Sequence, residues 1–201
     1  MIKVIAFDLG GVVFSDGPTV ATQTLAREQG YDPEIVNALF TSEESTNLRR
    51  GRLSDEEFWH GVQTTLPKGY DVNLIRSTYY DSYVLDLDIM NLTQRLHERY
   101  TLMAFSGNIR SRVEYLDRKY DFRKWFHKEV YSYDHGFNKP APEFFEAMLR
   151  EAGVPGSEIF YVDDKDYYTP LAQTHGVHMH VYEKGEIRAL EDAMRNVGIN
   201  V

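Results

Sequence analysis

Cysteine is absent from this chain of 201 residues. Without thiols the protein forms no disulfide bond and uses no thiolate nucleophile, although this absence alone does not decide the cellular compartment. Long apolar runs are also missing, because no stretch approaches the roughly 20 residues of a membrane-spanning helix. The N-terminus does not show the charged and then apolar pattern of a secretory signal. We therefore expect a cytoplasmic protein without a membrane partner.

The chain also has fewer basic than acidic residues. Lysine and arginine total 22 against 31 aspartate and glutamate residues, for a net charge of −9. Nucleic-acid binding needs a basic face, so we expect no nucleic-acid partner. The chain has 42% hydrophobic and 26% charged residues, and no shift in composition marks a second independent domain. These values suit one α/β domain with a modest insertion, and they do not indicate an oligomeric state.

The N-terminal sequence MIKVIAFDLGGVVFSDG contains a short apolar run, Val4 to Phe7, that stops at Asp8. A run this short and this sharply bounded predicts a buried strand that delivers one carboxylate to the edge of a sheet. Gly10 and Gly11 follow, and glycine lets the backbone approach a ligand closely. Taken alone, the strand-end acid could be a nucleophile, a capping residue or a ribose-binding residue.

Two further apolar runs also end in polar side chains. In TLMAFSGN, a predicted strand ends on Ser106, and the backbone N–H of Gly107 can point at an anion. In EIFYVDDKD, a strand predicted over Ile159 to Val162 ends on Asp163 and Asp164. Adjacent acids repel each other unless a cation lies between them. The pair therefore predicts a divalent metal site.

A fourth segment, GFNKPAPEFFEAML, places Lys139 just before a predicted helix with Pro140 or Pro142 in its first turn. The order Asp, Ser, Lys and Asp-Asp, each at or near the carboxyl end of a strand, resembles the haloacid dehalogenase (HAD) superfamily. The resemblance covers nearly the whole chain. It implies an α/β fold with a Rossmann-like parallel sheet, and the ordered set is specific although each member is not.

The resemblance also implies roles for these residues. In Mg²⁺-dependent members of the superfamily, the first acid attacks phosphorus, the serine and lysine hold phosphoryl oxygens, and the last acids bind the metal. The implied catalytic residues are Asp8, Ser106 and Lys139. The implied Mg²⁺ site consists of the side chains of Asp8 and Asp164 and the carbonyl of Gly10, with Asp163 beside the metal. The substrate contacts that we predict are Gly11, Ser106, Gly107, Asn108 and Lys139.

Phosphate chemistry explains these residue types. A phosphate ester repels anionic nucleophiles, so cations must offset charge before Asp8 attacks. Mg²⁺ and the ammonium of Lys139 supply that charge and keep Asp8 ionised. Attack gives an aspartyl-phosphate, which water hydrolyses. The sequence thus predicts an Mg²⁺-dependent phosphomonoester hydrolase acting on a small phosphorylated metabolite.

One position departs from the superfamily pattern. The usual motif is Asp-x-Asp, in which the second acid protonates the leaving oxygen, but this chain has Asp8-Leu9-Gly10. Loss of general acid–base catalysis lowers the reaction rate by about 100- to 10,000-fold. Substrates with good leaving groups are affected least. Sugar-1-phosphates fit, because an anomeric hydroxyl is relatively acidic. The Asp-Leu-Gly start and the phrase GRLSDEEFW also resemble the α-D-glucose-1-phosphate phosphatase subgroup.

Three alternatives remain open. Gly10 motivates a catalytically weak relative that binds phosphorylated ligands without efficient turnover. Phosphoryl transfer to a second sugar is another possibility. A haloacid dehalogenase ranks lower, because those enzymes do not use Mg²⁺ and have little need of a pair such as Asp163 and Asp164. Asp16 is the nearest acid that could replace the missing proton donor, although a loop aspartate is more often a turn former.

Strand patterns disappear between residues 16 and 86, and helix signals replace them. Asp32-Pro33 predicts a helix start, and the sequence beginning at Ser54 matches a capping box. We therefore predict a core of residues 1–15 and 87–201 and a helical cap insertion of residues 16–86. The place of this insertion, directly after the first strand, resembles the superfamily's cap.

Other candidates have plainer explanations that we prefer. The cluster of Arg49, Arg50 and Arg52 could clamp a second anionic group, but a solvated surface is favoured. We expect Phe58 and Trp59 to pack the insertion rather than stack on a sugar. The expected lining of the junction between insertion and core is Tyr79, Tyr80 and Tyr83. The final core strand is predicted over His178–Val181. Its two histidines share a face, but no third zinc ligand follows in register. Tyr168 stands where the superfamily often has asparagine.

Overall fold

The fold is described here from a computed structural model of residues 1–201. It contains a five-stranded sheet in the order β3-β2-β1-β4-β5, and all neighbouring strands are parallel. The strands are β1 (Val4–Phe7), β2 (Thr101–Ser106), β3 (Lys128–Tyr131), β4 (Ile159–Asp163) and β5 (His178–Val181). The predicted α/β fold with a Rossmann-like parallel sheet is confirmed.

The sheet is covered on both faces, which is why its central strands are apolar throughout. Alternate residues of β1 enter two different cores: Ile5 and Phe7 pack in one, Val4 and Ala6 in the other. β5 is an edge strand with His178 exposed. The two histidines of β5 belong to no cluster of possible metal ligands.

Five helices lie between β1 and the next core helix, in the predicted insertion. They are α1 (Gly17–Gln29), α2 (Pro33–Thr41), α3 (Glu43–Arg49), α4 (Asp55–Thr65) and α5 (Val72–Asp81). The predicted starts are confirmed, because Asp32 caps α2 and the Ser54 capping box begins α4. Backbone pairing joins the two ends of the segment, with Ser15 N donating to Val84 O at 2.9 Å.

The remaining helices flank the sheet. They are α6 (Leu87–His97), α7 (Arg110–Tyr120), α8 (Ser132–His135), α9 (Pro142–Ala152), α10 (Thr169–His175) and α11 (Ile187–Asn196), with short 3₁₀ turns at Arg123–Trp125 and Gly156–Glu158. The larger hydrophobic core continues from the sheet into the insertion, where Phe58 and Trp59 are buried as predicted. No helix is both long and apolar enough to cross a membrane.

Candidate active site

Three strands deliver polar side chains to one edge of the sheet. Asp8 directly follows β1, while β2 ends on Ser106 and β4 on Asp163. The register aligns β1 with β4, since Phe7 pairs with Val162, and Asp8 and Asp163 therefore occupy equivalent positions on adjacent strands. All three polar side chains are buried. Their common position follows from parallel strands having their carboxyl ends at the same edge.

Lys139 joins this edge from the loop before α9. Its Nζ lies 3.0 Å from Asp8 Oδ2 and 2.7 Å from Asp163 Oδ2. The phenol of Tyr161 also donates to Asp163, and the backbone N–H of Lys165 donates to the other oxygen of that carboxylate at 2.9 Å. One ammonium thus bridges two buried carboxylates, and the geometry of Asp163 is fixed by several donors.

Burial and pairing have opposite effects on these acids. Burial raises the pKa of Asp8 to about 6, with Lys139 lowering it and Asp163 raising it. Burial also acts to raise the pKa of Asp163, but the charge and hydrogen bond of Lys139 outweigh it and hold that pKa below its usual range. Lys139 itself stays charged, because the two carboxylates overcome the effect of its burial and raise its pKa.

The residues after β2 form a polar turn beside this cluster. The backbone N–H of Asn108 donates to Ser132 Oγ at 3.0 Å, and the side-chain Nδ2 of Asn108 lies 3.5 Å from Ser106 Oγ. A Cβ on Gly107 would lie only 2.0 Å from Asn138 Oδ1, so only glycine fits there without movement of Asn138. The turn places Ser106, Gly107 and Asn108 in the cavity wall. Their contact with substrate stays a prediction.

Gly10 and Gly11 have different surroundings. Gly11 has φ +83°, and a Cβ there would lie 2.4 Å from both Cγ and Oδ2 of Asp164, so glycine is required for that acid to approach. Gly11 does not line the cavity, contrary to our prediction of a substrate contact, because Asp164 packs against it. Gly10 lines the cavity and has no positive φ. A Cβ on Gly10 would meet only Tyr83, at an ordinary 3.6 Å.

Asp8, Asp163 and Asp164 form a compact acidic group. Each offers a carboxylate oxygen, and these oxygens all lie within 4.8 Å of one another. An oxygen-only donor set of this kind fits a hard divalent cation such as Mg²⁺. Asp164 is meanwhile paired with Lys165, whose Nζ lies 2.7 Å from Oδ2. Lys165 was not predicted, although its place directly after the acid pair was a usable signal.

These groups line a cavity of about 370 Å³ between the sheet edge and the insertion. Of its 21 lining residues, only three are hydrophobic, so the cavity suits a polar ligand. The core contributes Asp8, Gly10, Ser106, Gly107, Asn108, Arg112, Asn138, Lys139, Asp163, Asp164, Lys165 and Tyr167. The segment 16–86 contributes Asp16, Gly17, Pro18, Thr19, Asn37, Phe40, Thr41, Arg49 and Tyr83.

Arg49 corrects one of our expectations. We preferred a solvated surface for the whole arginine cluster, and this was wrong for Arg49, which lines the cavity while Arg52 is exposed. The carbonyl of Arg49 accepts a hydrogen bond from Ser132 Oγ at 2.6 Å. The same hydroxyl accepts from Asn108 N, so a single serine ties the end of α3 to the turn after β2. The guanidinium of Arg49 is held separately, by a hydrogen bond from Nη2 to the carbonyl of Phe40 at 2.9 Å.

Arg112 was missed by sequence reasoning. It lies on α7, one turn after Asn108, and it is 1% exposed. Its Nε donates to Asn108 Oδ1 at 2.8 Å. Its position four residues after the strand-end asparagine was a weak signal, because α7 is rich in charged residues.

The other predicted residues have mixed outcomes. Asp16 caps α1, with its carboxylate 2.9 Å from Thr19 Oγ1, and it also lines the cavity. Tyr83 lines the cavity, and the hydroxyl of Tyr80 contacts Ser111 of α7 at 2.7 Å, as expected for the junction of insertion and core. Tyr168 is fully buried and donates to Ala141 O, so it packs beneath the site rather than facing the cavity.

Comparison with known proteins identifies this arrangement. Residues 2–167 match the haloacid dehalogenase-like hydrolase family. The chain belongs to this family. This HAD-like hydrolase is 27% identical to a sesquiterpene phosphatase of Aspergillus oryzae, with 87% of each chain covered. It is 28% identical to a D-ribitol-5-phosphate phosphatase of Bacteroides thetaiotaomicron, over 82% of this chain and 84% of that one.

A solved structure gives the same fold. A HAD-family enzyme of Bacteroides thetaiotaomicron, determined in complex with magnesium and inorganic phosphate, matches with a TM-score of 0.78 at 22% identity. The match covers 92% of this HAD-like hydrolase and 96% of that enzyme. The resemblance to the α-D-glucose-1-phosphate phosphatase subgroup stays a prediction.

Proposed function

We propose that this HAD-like hydrolase is an Mg²⁺-dependent phosphomonoester hydrolase that works through an aspartyl-phosphate on Asp8. The observation that carries the proposal is the strand-end cluster, defined as Asp8, Lys139, Asp163 and Asp164. It combines one buried ammonium with three carboxylates in the wall of a polar cavity. Phosphoryl transfer needs a nucleophile together with positive charge, which Lys139 and an Mg²⁺ ion held by the carboxylates would supply.

Asp8 is held for attack by both of its oxygens. Oδ1 accepts the backbone N–H of Leu9 at 2.7 Å, and Oδ2 faces Lys139. In the first step a carboxylate oxygen of Asp8 bonds to phosphorus, the bond from phosphorus to the alcohol oxygen breaks, and the departing oxygen takes a proton from Asp16 or from water. In the second step water attacks phosphorus and gives up a proton, the bond from phosphorus to the Asp8 oxygen breaks, and inorganic phosphate and the free Asp8 carboxylate are released. Lys139 offsets the phosphoryl charge in both steps.

The turn after β2 holds the phosphoryl oxygens. The hydroxyl of Ser106 and the amide of Asn108 face the same cavity as Asp8, and Gly107 leaves its backbone N–H unshielded by a side chain. Mg²⁺ would be held by the carboxylates of Asp8 and Asp164 and the carbonyl of Gly10, with Asp163 supporting them, and it would neutralise charge on the phosphoryl oxygens.

The lining of the cavity bears on the substrate class. The two phosphatase relatives release very different alcohols, one a terpene alcohol and the other a polyol. A cavity with three hydrophobic lining residues out of 21 offers little apolar surface to a terpene chain. We therefore infer a sugar or polyol phosphate as substrate. A sugar phosphate with an anomeric leaving hydroxyl would also fit the absence of a proton donor at Gly10.

The segment 16–86 acts as the cap in this proposal. It supplies nine of the cavity-lining residues, among them Asn37, Thr41 and Arg49. A cap in this position excludes bulk water while Asp8 is phosphorylated, and it contacts the part of the substrate that leaves. In this proposal the core supplies the strand-end cluster, and the cap contributes to substrate choice.

A phosphate-binding protein with little turnover is the second candidate, and Gly10 is the observation that favours it. No carboxylate follows Asp8 at the usual place for proton donation. Asp16 lines the same cavity and is the one nearby acid outside the strand-end cluster. Under the phosphatase proposal, Asp16 or the substrate's own leaving-group acidity makes up the deficit. A dehalogenase is weaker, because it uses no divalent cation and so leaves the group of Asp8, Asp163 and Asp164 without a metal-binding role.

The test is phosphate release from a panel of sugar phosphates, polyol phosphates, nucleotides and small phosphorylated acids, with and without Mg²⁺. The proposal predicts turnover that stops when Mg²⁺ is removed by a chelator and returns when it is restored. Phosphate binding by calorimetry without turnover of any substrate would favour the second candidate. Metal-independent release of halide from a 2-haloacid would point to the dehalogenase.

A further inference from the structure

Arg112 is a buried cation that no acidic side chain neutralises. It is 1% exposed, and it forms no ion pair with any aspartate or glutamate. The other buried cation of the cavity, Lys139, contacts two carboxylates. Placing a charge in the protein interior is costly unless it is paired, so an unpaired guanidinium beside a cavity needs an explanation.

The neighbours of Arg112 are neutral and do not use all of its donors. Its guanidinium carbon lies 4.2 Å from the ring centre of Tyr83 and 4.9 Å from that of Tyr79. Its Nε donates to Asn108, but its Nη1 is buried without any hydrogen-bond partner. Aromatic faces attract a cation weakly compared with a carboxylate. The guanidinium therefore keeps both a full charge and a free donor at the cavity wall.

Arg49 is a second such group in the same cavity. Its Nη2 donates to the carbonyl of Phe40 at 2.9 Å, its Nε is buried without a partner, and it too has no acidic partner. Both arginines act on one phenol: burial works to raise the pKa of Tyr79, but the charges of Arg112 and Arg49 lower it overall. Tyr79 faces Arg112 and stacks on Phe40, whose carbonyl binds Arg49, so the two guanidinium groups, one from the core and one from the cap, lie around this tyrosine.

We propose that Arg112 and Arg49, the arginine pair, form a second oxyanion site in the cavity, and that the substrate is a phosphate monoester carrying a second anionic group. That group is an oxyanion, either a carboxylate or another phosphate, because guanidinium donors match both geometries. Naming the ligand a substrate rests on the proposed phosphatase function. The existence of the site does not, since it follows from two unpaired cations with free donors.

A plainer role for Arg112 is to orient Asn108. Its Nε bond to Asn108 Oδ1 turns the Nδ2 of that amide toward Ser106. Such a role would affect the phosphoryl group and leave the rest of the ligand untouched. It also does not require the guanidinium of Arg49, which donates to Phe40 O rather than to Asn108. The two roles therefore differ in which part of a ligand they affect, and matched ligands separate them.

The test is calorimetric binding of two alkyl phosphonates with and without a terminal carboxylate, in the presence of Mg²⁺. The probes are propylphosphonate against 3-phosphonopropionate, and butylphosphonate against 4-phosphonobutyrate. In the unmodified protein the phosphonate with a terminal carboxylate should bind about 10- to 100-fold more tightly than the alkyl phosphonate without one. A third arm with propane-1,3-bisphosphonate decides whether the second oxyanion is better supplied by carboxylate or by phosphonate.

Variants connect the preference to the arginine pair. Arg112→Met and Arg49→Met should each reduce the preference to about threefold or less, while Arg112→Lys retains part of it because the charge remains. Arg118→Met is the matched control, since Arg118 is exposed on the same helix. If Arg112→Met does not fold by circular dichroism, Arg49→Met and Arg112→Lys still give the answer.

Three results would overturn the inference. One is equal affinity of the unmodified protein for the phosphonates with and without a terminal carboxylate. Another is a preference that survives both Arg112→Met and Arg49→Met. The third is a uniform loss of affinity for all phosphonates in Arg112→Met, which is the signature of the positioning role. Because the experiment measures binding and not turnover, these outcomes can be interpreted even if the phosphatase proposal is wrong.

Discussion

The two ends of the cavity treat charge in opposite ways. At the strand-end cluster, Lys139 lies between Asp8 and Asp163, and Lys165 pairs with Asp164. At the arginine pair, neither guanidinium forms an ion pair with an acidic side chain. In the first arrangement every charged side chain already has a partner of opposite charge before the substrate arrives, which suits groups that must be preorganised for chemistry. The second is completed only by an incoming anion, which suits recognition. Within one cavity, the strand-end cluster thus serves the reaction and the arginine pair serves substrate selection.

The largest expected effect is at the nucleophile. Asp8→Asn should reduce kcat by at least about 1,000-fold, because an amide cannot form the phosphoryl ester. Asp166→Asn is the control, since Asp166 is an exposed acid outside the cavity wall. Steady-state phosphate release measures both. Near-normal activity in Asp8→Asn would remove the strand-end cluster from the chemistry.

Stability sharpens the contrast between paired and unpaired cations. Lys139→Met leaves two buried carboxylates without their cation and should lower the free energy of unfolding by about 3–5 kcal/mol. Arg112→Met leaves no acid stranded and should cost well under half of that. Urea unfolding of the metal-free proteins gives both values. Equal losses would mean that the two cations are equally compensated and that the comparison fails.

The pH dependence of that loss has a definite sign. Without Lys139, the pKa of Asp8, which already lies above its unfolded value, rises further, and the pKa of Asp163 rises above its unfolded value. The folded state is therefore penalised wherever these acids are ionised. The destabilisation by Lys139→Met should therefore be larger near about pH 8 than near about pH 5. A loss that is greater in acid would contradict the assignment of these carboxylates as the partners of Lys139.

The two adjacent acids should differ in their effect on metal use. Asp164→Ala should raise the Mg²⁺ concentration for half-maximal activity by about 10- to 100-fold, because it removes a direct ligand. Asp163→Ala should raise it less, since Asp163 is already held by Lys139 and Tyr161, and should instead reduce stability. Metal titrations of both variants decide the order, and the reverse order would refute the assignment.

The smallest expected effect concerns the missing proton donor. Gly10→Asp should accelerate primary alkyl phosphates by about 10-fold or more, and aryl or anomeric phosphates little. The backbone permits the change, since Gly10 has no positive φ and its Cβ would meet only Tyr83 at 3.6 Å. Rates across a leaving-group series measure it. A flat series in the unmodified enzyme, with chemistry limiting, would mean that another acid such as Asp16 already donates the proton.

The contrast between the two ends also describes what the sequence could predict. Asp8, Ser106 and Asp163 were foreseen because each terminates a short apolar run, and parallel strands bring such ends together. Lys139 was foreseen from the resemblance of the ordered set to the superfamily, and only the strand-end positions follow from the residues themselves. These are consequences of local pattern and sheet topology, which sequence periodicity reports directly.

The arginine pair and the role of Gly11 needed the structure. Arg112 lies in the charged segment RSRVEYLDRKY, where nothing distinguishes a buried arginine from the exposed ones. Arg49 lines the cavity, and Ser132 fixes the end of α3 through a contact across 83 residues of sequence. Gly11 meets Asp164 rather than substrate for a similar reason. How the insertion sits on the core is a tertiary property, and side-chain direction there follows from it.

The central claim is that Asp8 carries the phosphoryl group, and trapping the phosphoenzyme tests it most directly. The enzyme is mixed with Mg²⁺ and a substrate from the active panel, quenched in acid during turnover, digested and analysed by mass spectrometry. The account predicts that the peptide containing Asp8 gains the mass of one phosphoryl group, and that this gain is absent in Asp8→Asn. Turnover with the phosphoryl group on another residue would contradict it.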